Sequence, residues 1–143
     1  MTNVQLLQEL IQIPSVSGNE KKIQKFIEKY SRSIGLVPIW VSRNLIIHIA
    51  GKDRSKALLF NAHVDTVPPG NVDLWTYGPF VPKNVGGKIY GLGASDEKAA
   101  VAVLLMLAKR FAKVKPACDV WLTFVVAEEI DGSGSQEVVD WFC

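Results

Sequence analysis

Residues 119–129 read DVWLTFVVAEE, and that stretch decides the fold. From Val120 to Ala127 only Thr123 is polar, so the segment lacks the alternation of a strand with one wet face. Apolar runs of this kind lie at the centre of a sheet covered by helices on both sides. The run stops on two adjacent carboxylates, Glu128 and Glu129. Charges ending a buried strand either emerge into solvent or serve a ligand, and open α/β sheets collect ligands where strands end.

The flanking sequence supplies the rest of such a domain. Ahead of the strand, residues 96–114 predict a long helix whose apolar stretch AAVAVLLMLA (99–108) is too short for a bilayer span of ~20 residues. Residues 57–65, ALLFNAHVD, predict another strand, and LVPIWV (36–41) with NLIIHIA (44–50) a hairpin, with GKDRSK as a turn. Two amphipathic helices open the chain, one from Val4 to before Pro14 and one from about Glu20 to Ser33, with Gly35 just past its end. Residues 66–87 are rich in proline and glycine and predict a loop, followed by KIYGLGAS as a short strand and turn. The last segment, GSGSQEVVDWFC, begins like a helix with Ser133 or Ser135 as N-cap and shows no C-terminal signal. The expected architecture is α/β, a three-layer αβα sandwich around a mixed, mostly parallel sheet, incomplete at its C-terminus.

Composition narrows the function classes. The chain has 143 residues, 48% hydrophobic and 21% charged, which suits one globular unit rather than a disordered or fibrous segment. Sixteen basic against fourteen acidic residues, scattered along the chain, argue against a nucleic-acid partner. Neither a membrane segment nor a secretory leader is visible, and two cysteines, Cys118 and Cys143, form no disulfide framework, so a cytoplasmic protein with reduced thiols is expected.

Three places carry residues suited to chemistry. His63 and Asp65 close one strand on the same face, where the carboxylate could hold the imidazole for a metal, or where a strand-end histidine simply precedes a turn aspartate. Asp96, after GLGAS, reads either as the N-cap of the long helix or as a ligand. Glu128 and Glu129, adjacent in an extended segment, would point opposite ways, leaving one to bind a cation and the other to face a neighbouring site. Two other patterns fail: GLGASD puts Asp96 where a dinucleotide fingerprint needs glycine, and Ser95-x-x-Lys98 lacks the companion motifs of serine acyl enzymes. His48 reads as a strand histidine, and Trp75, beside the long loop, as the one tryptophan placed to meet a substrate.

In order, NAHVDTVP, WTYGPF, KIYGLGASDEKAA and AEEIDGSGS resemble the motifs of the co-catalytic zinc exopeptidases and deacylases, which include succinyl-diaminopimelate desuccinylase, acetylornithine deacetylase, aminoacylase and glutamate carboxypeptidase. Thirty-three residues separate His63 from Asp96, and thirty-three separate Asp96 from Glu129. The resemblance implies that His63 binds one zinc, Glu129 the other, and Asp96 both, with cobalt or manganese as substitutes and no organic cofactor. It implies that Asp65 orients His63, that Glu128 is the general acid/base, and that the Asp96–Glu97 peptide is cis. Leu92 stands where the family usually has Arg, and Ala99 where Gly is common. The expected activity is hydrolysis of an amide in an N-acyl amino acid or small peptide. Residues 1–143 would then be the N-terminal portion of the catalytic domain, without the lid domain through which such enzymes dimerise and without the remaining metal ligands. The alternative is a catalytically incompetent fragment or binding module that keeps the fold.

Overall fold

Each expected helix forms, for reasons local to its sequence. In a computed structural model that describes residues 2–143, α1 spans Asn3–Ile11 and is opened by a reciprocal capping box between Thr2 and Gln5. Helix α2 covers Lys21–Ser33 and is followed by Gly35 at φ +85°. Strands β1 (Ile39–Val41) and β2 (Asn44–Ile49) pair through the two-residue turn Ser42–Arg43. Strand β3 runs Asp53–His63, α3 Lys98–Phe111, β6 Cys118–Val125 and α4 Ser133–Phe142.

The main sheet has the order β1-β2-β6-β3. Its mixed character is as expected, but the balance is not: only β3 and β6 are parallel, whereas β1–β2 and β2–β6 are antiparallel. The tight Ser42–Arg43 turn forces the first antiparallel pair, and the crossover through α3 permits the parallel one. Helices α1, α2 and α3 bury Leu6, Leu10, Ile23, Ile27, Val101 and Leu105 on one face of the sheet, against Leu45, Ile47, Leu122 and Phe124. Helix α4 covers the other face, where Val138 meets Val41, Ile46 and Val125. Three layers result.

Four local expectations change. Strand β3 starts at Asp53, because the segment read as a turn hydrogen-bonds to the residues before β6, with a register irregularity between Asp53 and Ala57. Within the loop of residues 66–87 lie a 3₁₀ turn at Val72–Leu74 and a strand β4 (Lys83–Val85). That strand pairs with β5 (Lys88–Tyr90) as a separate hairpin across Gly86 and Gly87, both with positive φ. Neither Ser133 nor Ser135 caps α4; Gly132 does, and Gly134 faces the sheet so closely that a Cβ there would lie 2.2 Å from the Val126 carbonyl oxygen. Buried Asn44 fastens that junction, donating to Glu137 and to the Val41 carbonyl and accepting from the Val126 N–H.

Among the described residues no helix is long and apolar enough to cross a membrane, and both cysteines are free. The parallel pairing of β3 and β6 sets His63 beside Val125, so the ends of both strands, and the start of α3 that returns between them, share one edge of the sheet.

Phe124 is wholly buried at the middle of the larger core, whereas Leu59 on β3 is 52% exposed. Phe124→Ala should cost ~3–5 kcal/mol in urea unfolding, and Leu59→Ala less than ~1 kcal/mol. Equal losses at the two positions would contradict this account of the layers.

Candidate metal centre

His63, the last residue of β3, is 6% exposed and meets carboxylates on both sides of its ring. Its Nε2 lies 2.9 Å from Asp96 Oδ1, 3.6 Å from Glu97 Oε2 and 3.9 Å from Glu128 Oε2. On the other side Nδ1–H donates to the Asp65 carbonyl oxygen at 3.1 Å, with the Asp65 carboxylate at 3.4 Å. Asp65 therefore contacts the His63 ring through its main chain as well as its side chain. Asp65 first, opposed by burial and helped by Asp96, raises the imidazole to about 9, so the metal-free chain carries an imidazolium at neutral pH.

Asp65 is fully buried. Burial by itself would push its carboxyl up, but the bonds from His63, from the Ser17 hydroxyl at 2.7 Å and from the N–H groups of Glu129 and Glu128, each at 3.2 Å, hold it at about 2. Those last two bonds correct the expectation for the glutamate pair. Strand β6 stops at Val125 and the chain turns at Ala127, whose φ is +59°. Glu128 and Glu129 thus sit in a turn held by Asp65, and both carboxylates come near His63 instead of pointing apart. Burial, then the neighbouring Asp96, raises the Glu129 carboxyl above its usual range.

Asp96 does not cap α3: the cap position belongs to Glu97, which makes no capping bond through its side chain. The Asp96–Glu97 peptide is cis, as the resemblance implies. Just before it, Gly93 has φ +73°, and a Cβ there would lie 2.8 Å from the Thr66 methyl, so the turn can close onto β3's end only with glycine. His63, Asp96 and Glu129 each present one ligand atom, all within 4.8 Å of one another. One imidazole nitrogen and two carboxylate oxygens are a donor set for zinc and similar divalent ions, and the surrounding negative charge is the electrostatic demand that such a cation meets.

A cavity of ≈ 330 Å³ opens beside Asp96 and Glu129, walled by Thr66, Val67 and Trp75. Trp75 is pinned by its indole N–H to the Pro69 carbonyl oxygen at 2.9 Å. A larger cavity of ≈ 490 Å³, between α2 and the β1–β2 turn, touches none of the cluster. His48 stays outside the site, stacked on Trp121 and bonded to Asp119.

Sequence reading missed two participants. Glu97 accepts the His63 main-chain N–H at 3.0 Å, and its only signal was a second carboxylate beside Asp96. Ser17 reaches Asp65 from 48 residues away and gave no signal at all.

The family description "Peptidase family M20/M25/M40" matches residues 59–142, more than half of the chain. Succinyl-diaminopimelate desuccinylase of Blochmanniella floridana is 35% identical over 92% of this chain and 36% of its own length, and that of Coxiella burnetii is 32% identical over 95% and 38%. The M20 family metallo-carboxypeptidase Sso-CP2 from Sulfolobus solfataricus shares the fold, with a TM-score of 0.83, 20% identity, and coverage of 99% of this chain and 34% of that one. The YXEP protein of Bacillus subtilis, described as a dinuclear metal binding peptidase from the M20 family, superposes with a TM-score of 0.68 at 22% identity, over 96% and 38%. The chain spans just over a third of the length of the relatives it matches.

The charge pattern sets a pH dependence for the metal-free chain. His63 titrates near 6.5 when unfolded and about 9 when folded, so its contribution is complete below pH 6.5 and vanishes as pH rises through 9. Asp65, folded at about 2 against 3.8, contributes above pH 4 and ceases to as pH falls toward 2. Urea unfolding midpoints should therefore decline between pH 6.5 and 8, above which buried Lys98, lowered to about 8 by burial, contributes in the opposite sense, and His63→Gln should flatten that decline. Parallel curves for parent and variant would show that His63 is not held as imidazolium.

Proposed function

The chain belongs to peptidase family M20/M25/M40, and from that premise we propose that it forms the part of a zinc hydrolase catalytic domain that holds the metals and the proton-transfer group. The observation that carries this reading is the convergence of His63, Asp96 and Glu129, delivered by the ends of β3 and β6 and the start of α3. His63 would hold one ion, Glu129 the other, and Asp96 both. Zinc, when bound, supplies Lewis acidity and allows water to act as a nucleophile near neutral pH.

The remaining work falls to the chain's own side chains. Asp65 keeps His63 in the orientation that aims Nε2 at the cluster. Glu128, within 3.9 Å of that nitrogen and half exposed, is free to take a proton from the attacking water at its carboxylate and to return it to the departing amine. No covalent acyl intermediate is required. Trp75 and the cavity beside Asp96 and Glu129 would receive the group attached to the scissile amide.

The substrate class we propose is an N-acyl amino acid or small peptide, in keeping with the desuccinylases among the relatives. Three ligands cannot complete two zinc shells of about four each. We therefore assign the missing ligands, and a lid domain that would pair two copies, to polypeptide beyond these 143 residues, and the cytoplasm as the compartment. The ligand count also favours a second reading for the chain in isolation, that of a folded unit without turnover.

Two measurements test these roles. In the full-length protein Glu128→Ala should lower turnover of an N-acyl amino acid by ~10²–10⁴-fold with zinc content unchanged, and His63→Ala should deplete zinc. Zinc loss from Glu128→Ala would exchange the roles of the two glutamates. The 143-residue chain alone should bind zinc weakly and turn over little; substantial hydrolysis by it would refute the assignment of missing ligands.

A further inference from the structure

We propose that Ser17 is a positioning residue for the metal cluster, acting through Asp65. The proposal rests on the reading of His63, Asp96 and Glu129 as metal ligands. Ser17 lies in the connection between α1 and α2, outside the stretch that matches the family. Its hydroxyl donates to Asp65 Oδ2 at 2.7 Å, shorter than any other contact to that carboxylate.

Counting donors shows why the hydroxyl matters. Oδ1 of Asp65 faces the His63 ring and accepts from the Glu128 N–H, and Oδ2 accepts from the Glu129 N–H and from Ser17. Oδ2 thus has two donors, whereas Oδ1 has one donor and the imidazole ring 3.4 Å away, its Nδ1–H shared with the Asp65 carbonyl. Without the Ser17 hydroxyl, Oδ2 keeps a single bond of 3.2 Å in a site closed to water. The carboxylate is then held only by the two longer main-chain bonds from Glu128 and Glu129, and the added freedom loosens the groups it contacts, the imidazole and the main chain of Glu129, which carry two of the three ligands.

The loop is built to hold that hydroxyl still. Val16 bridges to Thr66 as a parallel strand pair, the Ser17 N–H donates to the Thr66 carbonyl, and the Thr66 N–H donates to the Ser15 carbonyl. Lys98, completely buried at the start of α3, donates from Nζ to the Ile13 carbonyl at 2.7 Å. The loop is thus tied to the two segments that carry His63 and Asp96, and Ser17 is its one side chain bonded to the cluster's support.

The test uses Co²⁺ as the probe in the full-length protein, titrated by its visible absorption, alongside thermal unfolding of the metal-free proteins. Ser17→Ala should weaken Co²⁺ binding ~10–100-fold and alter the cobalt spectrum, whereas Ser17→Thr, which keeps the hydroxyl, should bind like the parent. A purely structural role would move the unfolding midpoint and leave affinity and spectrum alone, and that result overturns the proposal while the metal reading stands. If Ser17→Ala fails to fold, Ser17→Cys supplies a poorer donor in similar volume, and parent-like affinity there likewise overturns it. A parent that binds no Co²⁺ overturns both.

Discussion

A carboxylate sealed from solvent keeps its charge only if donors surround it. Asp65 is that group here, and its partners come from three separate places in the chain: the ring of His63, the hydroxyl of Ser17 and the main-chain N–H groups of Glu128 and Glu129. One buried anion thus joins the end of β3, the turn after β6 and the loop between α1 and α2. The positions of the imidazole and the second glutamate follow from satisfying it.

The sheet makes that meeting possible. Because α3 crosses from β3 to β6 and leaves them parallel, both strands end at one edge, and the helix itself begins there. Each crossing delivers part of a negative cluster whose members act on one another: burial and then Asp96 lift the Glu129 carboxyl, and the carboxylates around His63 raise its imidazole. The donor types of His63, Asp96 and Glu129 are those a divalent ion takes, and that match is the basis of the proposed metal role.

Much of this was legible in the residues. The nearly unbroken apolar run before Glu128 announced a central strand, helical periodicity placed α1 and α2, an apolar stretch placed α3, and His63, Asp96 and Glu129 stood at element ends, where the structure brings them together. What escaped depends on contacts distant in sequence. No local pattern places Ser17 against Asp65, and the positive φ of Ala127 sits on a residue with no turn preference, so the glutamate pair read as extended. The early start of β3 is likewise imposed by pairing with the segment before β6, over residues whose own composition suggests a turn.

The claim on which the account turns is that His63, Asp96 and Glu129 form a divalent-cation site, and anomalous scattering at the zinc absorption edge, from crystals grown with zinc, addresses it most directly. For the full-length protein the account predicts two anomalous peaks, one ~2.0–2.2 Å from His63 Nε2 and one at that distance from a Glu129 carboxylate oxygen, each also within reach of an Asp96 carboxylate oxygen. Zinc bound elsewhere, with those three side chains bearing none, would contradict it.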